Sequence, residues 1–319
     1  MRNTRHKKNV IPAKAGIDPR WSLPSTTIEG EDDISSVIQK ADILLEALPY
    51  LQAFRGKTVV IKYGGSAIGD PAKRRSLLQD IVFLSVAGIR PVLVHGGGPN
   101  ISKQMTSKGK APRFVQGLRV TDASTLKLVI KALSGVNQLL VKEVRALGAR
   151  AQGVSGLDGG LIKAEPFTIP GEDLGFVGKV NGVNTGPVQR LLALGVVPVV
   201  MPVGSGWDHQ AYNINADEAA AALAAALKAE KFVMVTDVPG ILRQSNNRHS
   251  LISTATIKQI GRLTQQGIIS GGMIPKTKAC IHALEGGVRK THMIDVAVPH
   301  GLLLEIFTQQ GIGTEIVAR

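Results

Sequence analysis

The stretch TVVIKYGGS, residues 58–66, is a β-branched apolar run that ends in a lysine, a tyrosine and two glycines. It lacks the apolar–polar alternation of a half-exposed strand, so it reads as a strand buried on both faces, the kind that fills a parallel sheet. The end of the run admits two readings. Lys62 marks where the chain leaves the core, or it joins bare backbone amides aimed at an anion. Either way, Lys62, Gly64 and Gly65 stand at the carboxyl end of a strand.

Outward from this run the pattern repeats. A helical segment, PAKRRSLLQDIVFLSVAG (71–88), leads to a second apolar strand that runs into glycines, IRPVLVHGGG (89–98), and then to a helix, NISKQMTSKG (100–109). Later runs VVPVVMPVG (196–204), KFVMVTDV (231–238) and THMIDVAV (291–298) have helical segments between them. Continuous apolar strands alternating with helices predict a mostly parallel sheet covered on both faces. In such sheets ligands bind beyond the carboxyl ends of the strands, where Lys62, His95, Asp237 and the glycines lie. A change of character near Pro198–Gly206 suggests two lobes, residues 51–200 and 201–319, on one continuous sheet. No internal repeat is visible.

Before the first strand, residues 1–30 read as a disordered basic tail, punctuated by Pro12, Pro19, Pro24, Gly16 and Gly30. Residues 31–50 read as an amphipathic helix. Ile34, Val37, Ile38, Ala41, Leu44, Leu45 and Leu48 form one stripe, Asp32 or Asp33 caps the start and Pro49 ends it. Such a helix docks on its own domain or on another subunit.

The net charge is +14, and Arg2, Arg5, Lys7, Lys8, Lys14 and Arg20 against Asp18 account for only five of it. The remaining surplus suits anionic small molecules; without a basic stripe interleaved with aromatics, nucleic acid is the less favoured partner. One cysteine, Cys280, excludes an internal disulfide framework and fits a reducing cytoplasm. It reads as a small core residue of a helix. No apolar run reaches transmembrane length.

Familiar nucleotide fingerprints are missing. RGKT (55–58) has Leu51 where a P-loop needs its first glycine, and no G-x-G-x-x-G occurs. Neither H-E-x-x-H nor paired C-x-x-C is present, so no zinc site is indicated. Three other glycine sites remain: KYGG (62–65), HGGGPN (95–100) and SGGMIPK (270–276). Glycine lets backbone N–H groups approach an anion, and a following helix start adds positive potential. Lys62 and Lys276 stand beside two of these sites, and phosphoryl transfer needs cations around a charge-rich transition state. Arg119, in the turn QGLRVTD (116–122), suits a carboxylate. Asn213, Asn215 and Asp217 cluster at a helix start, where one polar residue is enough for a cap. Asp217 between two lysines would hold both in place. The histidines lack triad or ligand spacing and read as structural.

Six motifs in this order, VVIKYGGSA, VLVHGGGPNI, GLRVTD, YNINADEAA, TDVPGIL and GIISGGMIPK, resemble the amino-acid kinase family, and within it the kinases that phosphorylate N-acetyl-L-glutamate. The similarity covers about residues 34–319. It implies a three-layer αβα sandwich like that of carbamate kinases, with an N-acetylglutamate-binding lobe (51–200) and an ATP-binding lobe (201–319). It also implies transfer of the ATP γ-phosphoryl group to a side-chain carboxylate in arginine biosynthesis. Carried over by motif, Lys62 and Lys276 would neutralise the phosphoryl group and Asp217 would orient both. Gly97 and Gly98, with Gly64 and Gly65, would supply amides, while Arg119 and Asn213 would hold N-acetyl-L-glutamate. Asp237, Val238, Pro239, Gly240, Ile241 and Leu242, with Ile268, Ile269 and Ser270, would line the nucleotide site. Mg2+ would be held by phosphates and water, with no protein ligand named. The resemblance further implies a homo-oligomer built through the amino-terminal helix, an arginine effector at a site that includes His292 and Glu305, and a nitrogen-signalling partner. The chain departs from the pattern at Val296–Ala297, where glycine–arginine is usual, at LSGVNQ (133–138), where glycine–lysine is usual, and at Leu157, where lysine is usual. Rival readings are a related kinase acting on aspartate, glutamate or UMP, and a non-catalytic arginine sensor of the same fold.

Overall fold

The computed structural model describes residues 31–244, 247–308 and 311–319; the expected basic tail, residues 1–30, lies outside them. Two units are distinguished, divided after Glu46. Helix α1 (Glu31–Phe54) begins in the first and ends in the second. Within residues 34–46, Ile34, Val37, Ile38, Ile43, Leu44 and Leu45 are exposed. Asp32 and Asp33 fall inside the first turn rather than at a cap, and Pro49 does not end the helix. Proline removes one N–H, but here the turn beyond it is held by packing. Tyr50 meets Phe307 edge-on at 6.4 Å, and Lys231 lies 5.4 Å from the Phe54 ring.

After α1 come β1 (Thr58–Tyr63), α2 (Pro71–Val86), β2 (Arg90–His95), α3 (Gly98–Ser107), β3 (Phe114–Val115), β4 (Leu118–Arg119), α4 (Ala123–Ala146) and β5 (Ala151–Ser155). Next are β6 (Ile162–Pro166), β7 (Val177–Val183), α5 (Gly186–Ala193), β8 (Val197–Met201), β9 (Val203–Ser205), β10 (Ala211–Ile214), α6 (Ala216–Ala226) and β11 (Lys231–Thr236). The chain closes with β12 (Thr254–Thr256), α7 (Ile257–Gln265), α8 (Met273–Glu285), β13 (Lys290–Asp295), α9 (Gly301–Phe307) and β14 (Thr314–Val317).

The main sheet has the order β12-β14-β13-β11-β1-β2-β8-β5, and its one antiparallel pairing is β13 with β14. The mostly parallel α/β architecture is therefore the expected one. β1 lies at its centre, paired on both sides. Alternation along it sorts the two outer layers. Val59, Ile61 and Tyr63 pack with α2, α4 and α9, whereas Val60 packs with α5, α6, α7 and α8. Each fully buried aliphatic side chain here contributes roughly 1.5–3 kcal/mol. Lys62 follows Val60 in this alternation, which aims it at the face that carries α6 and α8. Cys280 is fully buried in α8, and burial pushes its thiol up to about 12, as suits a core residue.

A smaller closed unit, β10-β7-β6-β9, was not foreseen from the sequence. Its strands are short, and it closes through β6–β9 and β7–β10 pairings that skip over α5 and β8. It brings β10, and with it Asn213, next to the β3–β4 hairpin.

Candidate functional site

β1 ends at Tyr63 and delivers Lys62 buried beneath Gly64. A Cβ on Gly64 would stand 2.5 Å from Lys62 Nζ, so only glycine leaves that ammonium its place. The loop beyond is fastened twice. Tyr63 Oη donates to the Ala67 carbonyl at 2.6 Å, and Arg74 donates to the Ile68 carbonyl at 2.6 Å. Arg74 is itself gripped by Glu143 of α4 through two bonds of 2.7 and 2.8 Å. In sequence Arg74 looks like a surface residue of a basic helix; only its burial reveals the strap.

Asp217 sits in the first turn of α6, whose start is capped by Asn215 Oδ1 accepting from the Asp217 N–H at 2.8 Å. Its carboxylate pairs with Lys62 Nζ at 2.7 Å through Oδ1 and with Lys276 Nζ at 3.4 Å through Oδ2. Burial alone would raise Asp217, but the Lys62 and Lys276 ammonium groups outweigh it and hold the carboxyl below its usual range. Two cations on one carboxylate leave one positive charge to be matched.

Lys62 and Asp217 line a cavity of about 230 Å³ together with Gly65, Gly97, Gly98, Arg119 and Asn213. Arg119 stands in a strand rather than a turn: Gln116 and Gly117, with φ of 48° and 81°, form the tight connection of the β3–β4 hairpin. Its guanidinium is half-spent, donating to the Gly98 carbonyl at 3.0 Å and to Ser102 Oγ at 2.9 Å, and it lies 4.6 Å from the Phe114 ring centre. Asn213 Nδ2 donates to Thr121 Oγ1 at 3.1 Å.

A second cavity, about 710 Å³, is lined by Val238, Pro239, Gly240, Leu242, Ile268 and Ser270, and also by Arg243 and Arg248. Ile241 and Ile269 do not line it; each is 1% exposed and belongs to the core below. The apolar side chains in these motifs anchor the loops, while their neighbours face the space. Asp237 instead borders the first glycine loop, its Oδ2 3.9 Å from a Cβ built on Gly65. Arg243 and Arg248 were not read from the sequence, since scattered basic residues in a polar loop carry no signal of their own. Arg248 donates to buried Asp295 at 3.0 Å.

A third cavity, about 570 Å³, contains His292 and Glu305 with Tyr50, Lys231, Lys290 and Glu315. His292 Nδ1 lies 2.6 Å from Glu305 Oε1, and Lys231 Nζ lies 3.0 Å from His292 Nε2. Glu305 Oε2 also accepts from Ile312 N–H at 2.8 Å. Val296 packs in the core with Leu302 and Ile306, and the Ala297 N–H donates to Asp295 at 2.9 Å.

The amino acid kinase family matches residues 57–295. The acetylglutamate kinase of Syntrophomonas wolfei is 47% identical over 285 residues, 89% of this chain and 99% of that protein. That of Moorella thermoacetica is 47% identical over 291 residues, covering 88% and 98% of the two chains. Among solved structures, an N-acetylglutamate synthase from Neisseria gonorrhoeae, complexed with coenzyme A and N-acetyl-glutamate, superposes with a TM-score of 0.79 at 27% identity; the match covers 88% of this chain and 63% of the synthase. A carbamate kinase from Giardia lamblia bound to AMP-PNP shares the fold, with a TM-score of 0.59 at 17% identity over 83% of this chain and 99% of that one.

Proposed function

The chain belongs to the amino acid kinase family, and from that premise we infer that it moves the terminal phosphoryl group of ATP to the side-chain carboxylate of N-acetyl-L-glutamate, giving N-acetyl-L-glutamyl 5-phosphate in arginine biosynthesis. The observation that carries the reading is the Lys62–Asp217–Lys276 group beside two glycine loops and Arg119. The acceptor carboxylate is already ionised near neutral pH, so no general base is needed. The site's task is to bring two anions together and to match the charge that develops between them.

In this account Arg119 takes the α-carboxylate of the acceptor and Asn213 holds its polar groups. Lys62 and Lys276 face the phosphoryl group, Asp217 orients both, and the amides of Gly64, Gly65, Gly97 and Gly98 surround its oxygens. The cavity of Val238, Pro239, Gly240, Leu242, Ile268 and Ser270 takes the nucleoside, so residues 51–200, joined by Asn213, serve the acceptor and the rest of residues 201–319 serve ATP. Mg2+ would supply positive charge against the phosphate oxygens when bound. Among the described residues no group of three or more His, Cys, Asp or Glu side chains is arranged to hold a metal, and Asp217 is already committed to two lysines. The donor set fits a cation that arrives on the nucleotide, with Asp237 as the nearby carboxylate.

The third cavity supports arginine as an effector, with Glu315 suited to a guanidinium and Lys290 to a carboxylate beside the buried Lys231, His292 and Glu305. The exposed apolar residues of α1 support assembly into a homo-oligomer through that helix. Among the described residues no helix is long and apolar enough to cross a membrane; a cytoplasmic location is part of the same proposal.

An acceptor panel with Mg-ATP, trapping the acyl phosphate with hydroxylamine, tests the reading. N-acetyl-L-glutamate should give the hydroxamate in clear preference to aspartate, free glutamate and UMP. Preference for any of those three would refute it, and no turnover by folded protein would favour the sensor reading.

A further inference from the structure

His95 closes β2 and is fully buried, yet both its ring nitrogens have polar neighbours. Their roles follow from one fixed end. The Val199 carbonyl of β8 can only accept, so the Asn137 atom 2.8 Å from it is the donor Nδ2. The same Nδ2 lies 3.0 Å from His95 Nε2, and its second hydrogen makes Nε2 the acceptor. A neutral ring that accepts at Nε2 carries its proton on Nδ1. Nδ1 stands 3.0 Å from the Gly96 carbonyl and donates to it. Burial keeps the ring neutral, holding His95 down at about 4.

The consequence lies in the next peptide. No cis peptide occurs among the described residues, and a trans peptide points its carbonyl and its N–H to opposite edges. With the Gly96 carbonyl turned back onto His95, the Gly97 N–H points away from the ring, and Gly96, Gly97 and Gly98 line a cavity with Lys62. The Gly96 N–H is taken separately by the Tyr63 carbonyl at 2.8 Å. α4 supplies Asn137 and also Leu133, whose Cδ2 would meet a Cβ on Gly97 at 2.7 Å. Gly153 leaves room for Asn137, since a Cβ there would stand 2.0 Å from Oδ1.

Resting on the phosphoryl-transfer reading, we propose that His95, set in its Nδ1–H form by Asn137, is a positioning residue that turns the Gly97 amide onto the phosphoryl group in flight. The ring touches no substrate; it acts through the peptide that follows it. The relay Val199–Asn137–His95–Gly96 thus ties the second glycine loop to the sheet and to α4, as Glu143 and Arg74 tie the first.

Nitrogen-15 spectra of the full chain with labelled histidine test the relay, the His95 signals being those lost in His95→Asn. They should show protonated Nδ1 and bare Nε2; protonated Nε2 with bare Nδ1 would overturn the proposal. In steady-state assays, His95→Phe keeps ring bulk and loses the donor. Removing an oxyanion donor costs about 10²–10³ in kcat, and a misaimed amide should cost about 10- to 100-fold, with KM for N-acetyl-L-glutamate within about threefold. His95→Asn, whose Nδ2 falls near the position of Nδ1, should recover most of kcat. Loss of thermal stability in both variants with kcat per folded molecule unchanged would overturn the proposal in favour of a purely structural ring. The spectra need no turnover, so an inactive wild type would sink the functional reading while the relay is still judged on its own.

Discussion

At the carboxyl end of β1, Lys62 shares Asp217 with Lys276, whereas near the amino ends of β11 and β13, Lys231 meets His292, which meets Glu305. Both triads are buried or nearly so, on the same sheet, and each joins a central strand to a helix. They differ in charge. The first holds two ammonium groups on one carboxylate. In the second, burial keeps His292 down, and within the triad Lys231 is matched by the single carboxylate of Glu305, with Glu315, Glu230 and Lys290 around it. A balanced triad is satisfied by its own members and holds β11, β13 and α9 together. A triad with surplus positive charge is completed only by an anion, and it is the one that opens on a cavity between glycine loops. Buried charge of one sign is expensive unless matched, so its presence marks the place where a ligand does the matching.

Substitutions should separate the two triads. Lys62→Ala and Lys276→Ala should each lower kcat by about 10²–10³-fold and KM far less, because both serve the transition state. Equal losses in binding alone would contradict that. Gly64→Ala should drive Lys62 Nζ from its place, since the new Cβ would start 2.5 Å away; displacing a catalytic group by about 1 Å costs on the order of 10²-fold in rate. Glu305→Gln should act on stability instead: breaking a buried pair costs roughly 3–5 kcal/mol in denaturant unfolding, with kcat per folded molecule within about twofold. A large fall in kcat there would merge the two triads into one functional unit.

Acid should weaken the fold through its neutral histidines. His95 is lowered from 6.5 to about 4 by burial, and His292 is lowered too, so below about pH 6.5 the unfolded chain takes protons that the native chain refuses. The stability is complete above that pH and is lost as pH falls toward about 4, by on the order of 3 kcal/mol for His95. His95→Phe should flatten this slope between pH 7 and 5; a wild-type chain that gains stability on acidification would refute the sign. The smallest effect is expected at Gly69→Ala, where a Cβ meets no atom within 4 Å; kcat and stability should stay within about 0.5 kcal/mol of wild type.

Much of this was legible before the structure. The strands around Lys62, His95 and Asp237 announce themselves because burial on both faces leaves each an unbroken apolar centre, residues 59–61, 91–94 and 232–235. Asp217 was legible because three polar residues at one helix start exceed what a cap requires. Other features depend on distance in space. Pro49 continues a helix because Tyr50 and Phe54 pack beyond it. The small β6, β7, β9 and β10 unit closes only through β6–β9 and β7–β10 pairings that skip over α5 and β8. Ile241 and Ile269 sit in loop motifs yet point into the core. Arg74 and Asn137 look like ordinary helix-surface residues, and only their buried partners show that they brace the glycine loops.

The most direct test is the steady-state kinetics of Asp217→Asn beside wild type, with N-acetyl-L-glutamate and Mg-ATP. The amide keeps the shape and removes the charge that holds Lys62 and Lys276 together. A fall in kcat of at least about 100-fold, with KM for both substrates within about threefold, is the predicted result. A kcat equal to that of wild type would contradict the account.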